Sequence, residues 1–522
     1  MTTHYSDSLA RYGLPEFPAD WGVVRRGIEK ESLRVTPAGE IALSPHPQAL
    51  GSALTNPFIT TDFSEALLEF ITPVYDDIEA CLTRLEQIHR FTLQNLDGGE
   101  MLWVASMPCP TGREEDIPIA QFGDSNIGRM KTLYRHGLHH RYGSLMQVIA
   151  GIHYNFSMPE SFWSAYQGLL GQRGDLQAFR TERYLHLIRN FHRYSWLLLY
   201  LFGASPAACK CFARGRPHDL EELDASTLYL PHATCLRMGR LGYRSEAQRS
   251  LFVCYNELDT YIKCLYDAIH TPYPDYEAIG QGQDGEYRQI NTNLLQLENE
   301  FYSTIRPKPR LQSGERPLDA LSRRGIDYIE VRALDLNPYL PLGIDAEQIR
   351  FLDMFLLHCL LSESPACNEQ EYFEVNSNIA RVVERGRDPA LMLDENATSR
   401  PMREWADSLL ADIAHSASLL DHLHETEAYD QSLAAQRAKL ADPDLTPSGR
   451  MLREMQAGQM SFFQFGLQQS RAHSTLLGQN GLDAAVLDDF RRAGSESIDR
   501  QTEVEATDTE SFAEYLRDWN SW

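Results

Sequence analysis

Polar and apolar positions alternate along several short stretches of the chain. In GIEKESLRV (27–35) an extended backbone places Glu29, Glu31, Leu33 and Val35 on one face. In GIHYNFSM (151–158) Gly151, His153, Asn155 and Ser157 share a face, and Ile152, Tyr154, Phe156 and Met158 share the other. In IDYIEVRALD (326–335) Ile329 and Val331 point away from Glu330 and Arg332. TTDFSEALLEFITPV (60–74) adds Asp62 and Glu69, the latter set between Leu68 and Phe70. Strand-like texture with Gly, Pro and Asp punctuation covers roughly 20–160 and 285–340. Helical spacing covers 161–270 and most of 342–522. DAEQIRFLDMFLLHCLL (345–361) opens with Asp345 as a candidate N-cap and sets Ile349, Leu352, Leu356 and Leu360 on one stripe. PMREWADSLLADIAHSASLLDHLH (401–424) behaves similarly. The pattern predicts an α+β protein. One composite unit over 1–522 is expected: a sheet-based body over roughly 20–340, a helical insertion at 161–270, and a mainly helical part over roughly 342–522.

Composition narrows the function classes. With 43% hydrophobic and 23% charged residues in 522, the chain reads as a soluble globular protein. The 48 basic and 73 acidic side chains give a formal charge of −25, and the basic clusters RPKPR (306–310) and LSRRG (321–325) are short. That balance disfavours nucleic acid or an anionic membrane as partner. WLLLYLFGASPAACKCF (196–212) comes nearest to a spanning segment, but Gly, Ser and Pro interrupt it. The first residues have no basic region followed by an apolar one, so no secretory signal is expected. Nine scattered cysteines without a CxxC favour reduced thiols in a cytoplasm over a disulfide framework or a zinc site.

GQGQDGE (280–286) satisfies GxGxxG literally through Gly280, Gly282 and Gly285. A dinucleotide loop needs a strand before it and a helix after it. The flanks, PYPDYEAI and EYRQINTNLLQLEN, do not supply that order, and Asp284-Gly285 reads as a hairpin turn. Neither GxxxxGK[ST] nor HExxH occurs. The polar strand faces are more informative. Should they converge, five carboxylates would crowd one histidine and one arginine, and their repulsion calls for a counter-cation. Hard Mg²⁺ prefers such oxygen ligands and leaves room for phosphate, and Arg332 would meet a transferring phosphoryl group. Spacing alone leaves two alternatives open, a wet strand end and a bound cation.

Longer stretches carry a resemblance. GIEKESLRV, HPQALGSALTNPFITTDFSEALLEFITPV (46–74), SMPCP (106–110), SNIGRMKTLYRHGL (125–138) and RYGSLMQVIAGIHYNFSMP (141–159) are similar to bacterial glutamate–cysteine ligases of the monomeric type. So are LYLFGASPA (199–207), LRMGRLGY (236–243), LQLENEFYSTIRPK (295–308), GIDYIEVRALDLNP (325–338) and DTESFAEYL (508–516). The resemblance implies a glutamine-synthetase-like fold, a curved and mostly antiparallel sheet forming a funnel with helices packed outside. It implies a cytoplasmic monomer that joins the γ-carboxylate of L-glutamate to the amine of L-cysteine through γ-glutamyl phosphate, consuming ATP. Mg²⁺ is the implied cofactor, with Mn²⁺ as a substitute. The implied metal ligands are Glu29, Glu31, Asp62, Glu69, His153 and Glu330, and Arg332 would stabilise the phosphoryl group. Lys131 and Arg135 would contact phosphate or substrate. Tyr134, Arg237, Tyr243 and Tyr302 would form the cysteine-side pocket, with Arg237 on the substrate carboxylate, and Gln147 and Asn155 would meet glutamate. The competing readings are a related ligase with another amine acceptor, an inactive homologue that only binds, and a metal-dependent phosphoester hydrolase.

Overall fold

The computed structural model describes residues 23–108, 112–240, 242, 247–283, 285–312, 314–479 and 481–521. Tyr243, Asp284, Cys109 and the first 22 residues, where the leader pattern was sought, lie outside them.

The centre of the fold is strand β1 (Arg25–Val35). It pairs on one side with β3 (Leu67–Ile71), which pairs in turn with β2 (Ile59–Thr61), and its end also pairs with the short β4 (Met101–Leu102). On its other side lies β5 (Ile152–Ser157), followed by β7 (Tyr328–Leu334) and the edge strand β6 (Ile305–Lys308). Every pairing in this seven-stranded sheet is antiparallel. The antiparallel sheet with helices outside is the α+β fold expected from the sequence.

Helices cover the apolar face. α1 (Ile78–Gln94) packs on β1 and β3. After α2 (Asn126–Tyr142), the long α3 (Leu176–Phe202) packs on β6 and β7. α4 (Ala346–Leu361) packs against α3 and against α6 (Met402–His424) and α7 (Ala428–Ala441), after α5 (Glu369–Arg385) has lined a second side of α3. Asp345 caps α4, accepting from the Gln348 amide at 2.9 Å. The predicted stripe understates this helix: from Phe351 to Leu361 every residue is buried, Asp353 and His358 included, so the helix is enclosed on all sides by its neighbours.

β1 is buried on both faces, more deeply than the single apolar stripe suggests. Its core face carries three cations, each with a partner distant in sequence. Arg26 pairs with Asp353 of α4 at 2.9 Å, and Tyr154 of β5 donates to the same carboxylate at 2.5 Å. Lys30 lies 2.8 Å from His89 of α1 and donates to Ser32. Arg34 pairs with Glu100 at 2.7 Å. Buried charges and polar groups persist only when paired and hydrogen-bonded, so Arg26 and Lys30 tie the central strand to α4 and α1, and Arg34 ties it to the segment before β4.

The GxGxxG segment has the opposite order to a dinucleotide loop. A helix, Pro274–Ile279, precedes it, and Gly282–Gln283 pairs antiparallel with Glu286–Tyr287 across a two-residue connection. Gly285, at φ +89°, takes the left-handed conformation such a turn requires.

Candidate active site

Sheet register brings the polar faces together. Glu29 stands opposite His153, Glu31 opposite Glu69, Gly27 opposite Asn155, and Asn155 opposite Glu330. Cross-strand partners project to the same face, so four strands deliver their chemistry to one surface. His153 Nδ1 lies 3.3 Å from Glu29 and 3.9 Å from Glu69, and Nε2 lies 3.8 Å from Glu31. Ligand atoms of Glu29, Glu69 and His153 all fall within 4.8 Å of one another.

The carboxylates are not electrostatically equivalent. Burial pushes Glu69 well above the ordinary carboxylate range, and the charges of Glu29, Asp62 and Glu31 add to that. Burial raises Glu31 too. Glu330 is just as enclosed, yet Lys308 at 3.1 Å and Arg332 at 3.2 Å outweigh desolvation and hold it well below that range. Glu29 is likewise held down against its burial, chiefly by its hydrogen bond with His153. A cluster that leaves two acids hard to ionise has a deficit of positive charge at the Glu29–Glu69–His153 end.

The remaining predicted residues divide into three groups. Arg332 lies beside Glu330 and 3.4 Å from His153 Nδ1, at the heart of the face. Ser125 caps α2, whose next turns present Lys131, Tyr134 and Arg135. Arg135 donates to the Asp62 main-chain carbonyl and to Lys131 O at 2.8 Å, so it is tied to the loop after β2. Burial next to Arg135 lowers Lys131 to about 8. Asp62 contributes charge to the cluster but is not part of the tightest trio, and neither are Glu31 and Glu330. On the third side, Gln147 donates to the Tyr302 hydroxyl at 3.0 Å.

Arg237 is anchored more firmly than a surface cation. Its Nε donates to Asp335 at 2.8 Å, and Nη2 donates to the carbonyls of Arg332 and Leu334. Asp335 also accepts from Ala204 N, Ser205 Oγ and Cys235 Sγ. The Cys235 thiol is pushed well up by burial and by Asp335. Asp335 and Lys308 were not among the predicted site residues. Lys308 joins the face because it lies two residues beyond Arg306, which stands opposite Glu330, a register that the folded sheet supplies. Asp335 was not legible either, because its partners come from residues 98–131 positions away.

The donor set suits a hard cation: two carboxylates and an imidazole converge, and further acids lie around them. Asn155 supplies a second observation. Its Nδ2 donates to Glu29 at 2.8 Å, while its Oδ1 is buried without a partner among the described residues. A buried acceptor left open beside an acidic cluster fits a group that arrives with a ligand.

Comparison with known proteins agrees. The sequence profile of the glutamate-cysteine ligase family matches residues 19–382. The chain belongs to the glutamate–cysteine ligase family. The glutamate–cysteine ligase of Azotobacter vinelandii is 51% identical over 523 residues, covering 99% of this chain and 98% of that one. That of Pseudomonas aeruginosa is 52% identical over 490 residues, covering 94% and 93%. The crystal structure of the Francisella tularensis glutamate–cysteine ligase in complex with AMP superposes with a TM-score of 0.89 at 36% identity, over 95% of this chain and 97% of that one. A bifunctional glutathione synthetase from Pasteurella multocida shares the fold at a TM-score of 0.73 and 23% identity, over 94% of this chain and 58% of that one. As a member of the family the chain is a ligase, and the acidic face of its sheet is the candidate seat of that chemistry. Among the described residues no helix is long and apolar enough to cross a membrane.

Proposed function

We propose that the protein joins the γ-carboxyl of L-glutamate to the amine of L-cysteine at the expense of ATP, and that the acidic sheet face performs the phosphoryl step. The observation that carries this reading is the convergence of Glu29, Glu69 and His153 within 4.8 Å, with Arg332 3.4 Å from the imidazole. A carboxylate is a poor electrophile because oxide is a poor leaving group. Transfer of the ATP γ-phosphoryl to it gives an acyl phosphate, and amine attack then expels phosphate.

Mg²⁺, or Mn²⁺ in its place, would be held by Glu29, Glu69 and His153, with Glu31, Asp62 and Glu330 around it, and would neutralise the phosphate oxygens. The chain's own cations do the rest. Arg332 and Lys308 flank Glu330 and stabilise charge on the moving phosphoryl group. Lys131 and Arg135 lie beyond the loop of Asp62 and bear on substrate or phosphate. Asn155, its carbonyl oxygen open, and Gln147 orient glutamate. Arg237 holds the cysteine carboxylate in a pocket shared with Tyr134 and Tyr302. The AMP bound by the Francisella tularensis relative supports nucleotide use at this fold.

Phosphate release from ATP is expected to require glutamate, a divalent cation and an amine together. A survey of amines decides the acceptor: preference for L-cysteine supports the reading, and indifference to it rejects the assignment.

A further inference from the structure

Tyr302 is held from two sides by side-chain amides. Gln147 donates to its hydroxyl at 3.0 Å, and its own backbone amide donates to Gln248 Oε1 at 2.9 Å. Gln248 stands in the one-turn helix Ala247–Ser250, on the stretch of chain that leads on from Arg237. Its Nε2 donates to the Glu300 carbonyl at 3.0 Å and lies 3.4 Å from the Tyr142 hydroxyl. A glutamine carries both a donor and an acceptor, so this one side chain pairs with a carbonyl and an amide two residues apart.

The same turn is fixed by charge through Glu300. Its carboxylate pairs with Arg141 at 3.1 Å, both side chains wholly buried, and accepts from the Tyr142 hydroxyl at 2.7 Å and from Gln296 N at 2.6 Å. Arg141 and Tyr142 end α2, the helix that carries Lys131, Tyr134 and Arg135. The Tyr142 ring meets that of Tyr302 edge-on, with centroids 5.8 Å apart. Gln248 itself is only 7% exposed, and its amide oxygen and nitrogen are both bonded inside the protein. It has no group left to offer a substrate and acts only through what it holds.

We infer that Gln248 is a positioning residue for the acceptor side of the reaction: its amide fixes the backbone at Tyr302 and docks the segment that follows Arg237 onto the wall that carries the Tyr302 ring. Without it the Tyr302 amide and the Glu300 carbonyl both lose this partner, and the turn must shift to pair them again. The ring then moves relative to Arg237, and the cysteine between them is held less well. This role rests on the proposed place of Tyr302 beside the cysteine, whereas the hydrogen bonds themselves do not.

Gln248→Met keeps the length of the side chain and removes both hydrogen-bonding groups. In the full-length enzyme it is expected to raise the KM for L-cysteine about tenfold, while kcat and the KM for ATP stay within about threefold, the pattern of lost substrate binding without lost chemistry. A side chain that only holds the fold together would lower the thermal midpoint and leave the cysteine KM in place. That result overturns the role, and so does an equal loss in all three parameters. Should Gln248→Met not fold, Gln248→Asn, whose amide stops a methylene short of the turn, carries the same expectation and the same overturning results. Combined with Tyr302→Ala, the Gln248 variant should add less than about twofold to the cysteine KM, because its effect runs through that residue. Fully multiplicative effects overturn the positioning role. Tyr302→Ala alone tells the two layers apart. A raised cysteine KM in Tyr302→Ala with an unmoved one in Gln248→Met removes Gln248 and keeps Tyr302 beside the cysteine. An unmoved KM in Tyr302→Ala removes Tyr302 from the acceptor side, and the role of Gln248 falls with it.

Discussion

Glu29 and His153 stand directly opposite each other across β1 and β5, with His153 Nδ1 3.3 Å from Glu29 Oε2. The same nitrogen is 3.9 Å from Glu69, brought in by β3 on the other side of β1. One imidazole thus sits between carboxylates from two neighbouring strands, and the central strand sets the spacing. Glu29→Gln keeps the shape and removes the charge. Metal affinity is expected to fall at least tenfold and kcat at least a hundredfold, while circular dichroism and the thermal midpoint stay near wild type. Calorimetric titration with Mg²⁺ or Mn²⁺ beside steady-state kinetics checks this. Unchanged turnover would remove Glu29 from the site.

Much of this face was legible in the sequence because period-two alternation assigns side chains to faces without tertiary information. Glu29, Glu31, Glu69, His153, Asn155 and Glu330 all lie where alternation and pairing place them. Alternation could not reveal that the opposite face of β1 also carries charge into the core. Arg26, Lys30 and Arg34 find partners 327, 59 and 66 residues away, and only the folded chain supplies them. The helix cap at Asp345 was readable because capping is local, whereas the all-round burial of α4 depends on α3, α6 and α7 together.

Arg237 leaves no slack around Gly151. A Cβ added to Gly151 would lie 2.8 Å from Arg237 Nη1, inside contact distance. The guanidinium cannot yield cheaply, since Asp335 and the carbonyls of Arg332 and Leu334 fix its other nitrogens. Gly151→Ala is therefore expected to raise the KM for cysteine at least tenfold and to leave Mg²⁺ affinity within threefold of wild type. Steady-state kinetics with cysteine varied reads this directly. An unmoved KM would show that Arg237 does not hold the cysteine carboxylate.

The Arg26–Asp353 pair links the central strand to α4, and both side chains are almost wholly buried. Removing one partner strands the other charge in the core, which typically costs about 3–5 kcal/mol. Arg26→Met is expected to destabilise the protein on that scale. The triple variant Arg26→Met, Tyr154→Phe, Asp353→Leu removes the stranded polar groups together and should recover most of the loss. Urea unfolding of the single and triple variants makes the comparison. Equal destabilisation in both would show that the pair contributes favourable attraction and is not merely costly to break.

Acid sensitivity follows from histidines buried as neutral rings. Burial lowers His358 of α4 to about 3, assisted by His415 of α6, and lowers His192 of α3 to about 4. An unfolded histidine titrates near ~6.5, so below that pH the unfolded chain takes up protons that the folded chain refuses. The stabilisation is complete above pH ~6.5 and is lost progressively as pH falls toward the folded values. One pH unit in that window costs about 1.4 kcal/mol per histidine, so His358 alone removes about 2 kcal/mol between pH ~6.5 and 5. Urea midpoints measured from pH 7.5 to 5 should fall with acid. His358→Gln, which cannot be protonated, is expected to begin less stable at pH 7.5 because it disturbs a packed site, yet to lose less on acidification. A slope identical to wild type would mean that His358 does not exclude its proton and that the acid loss arises elsewhere in the fold.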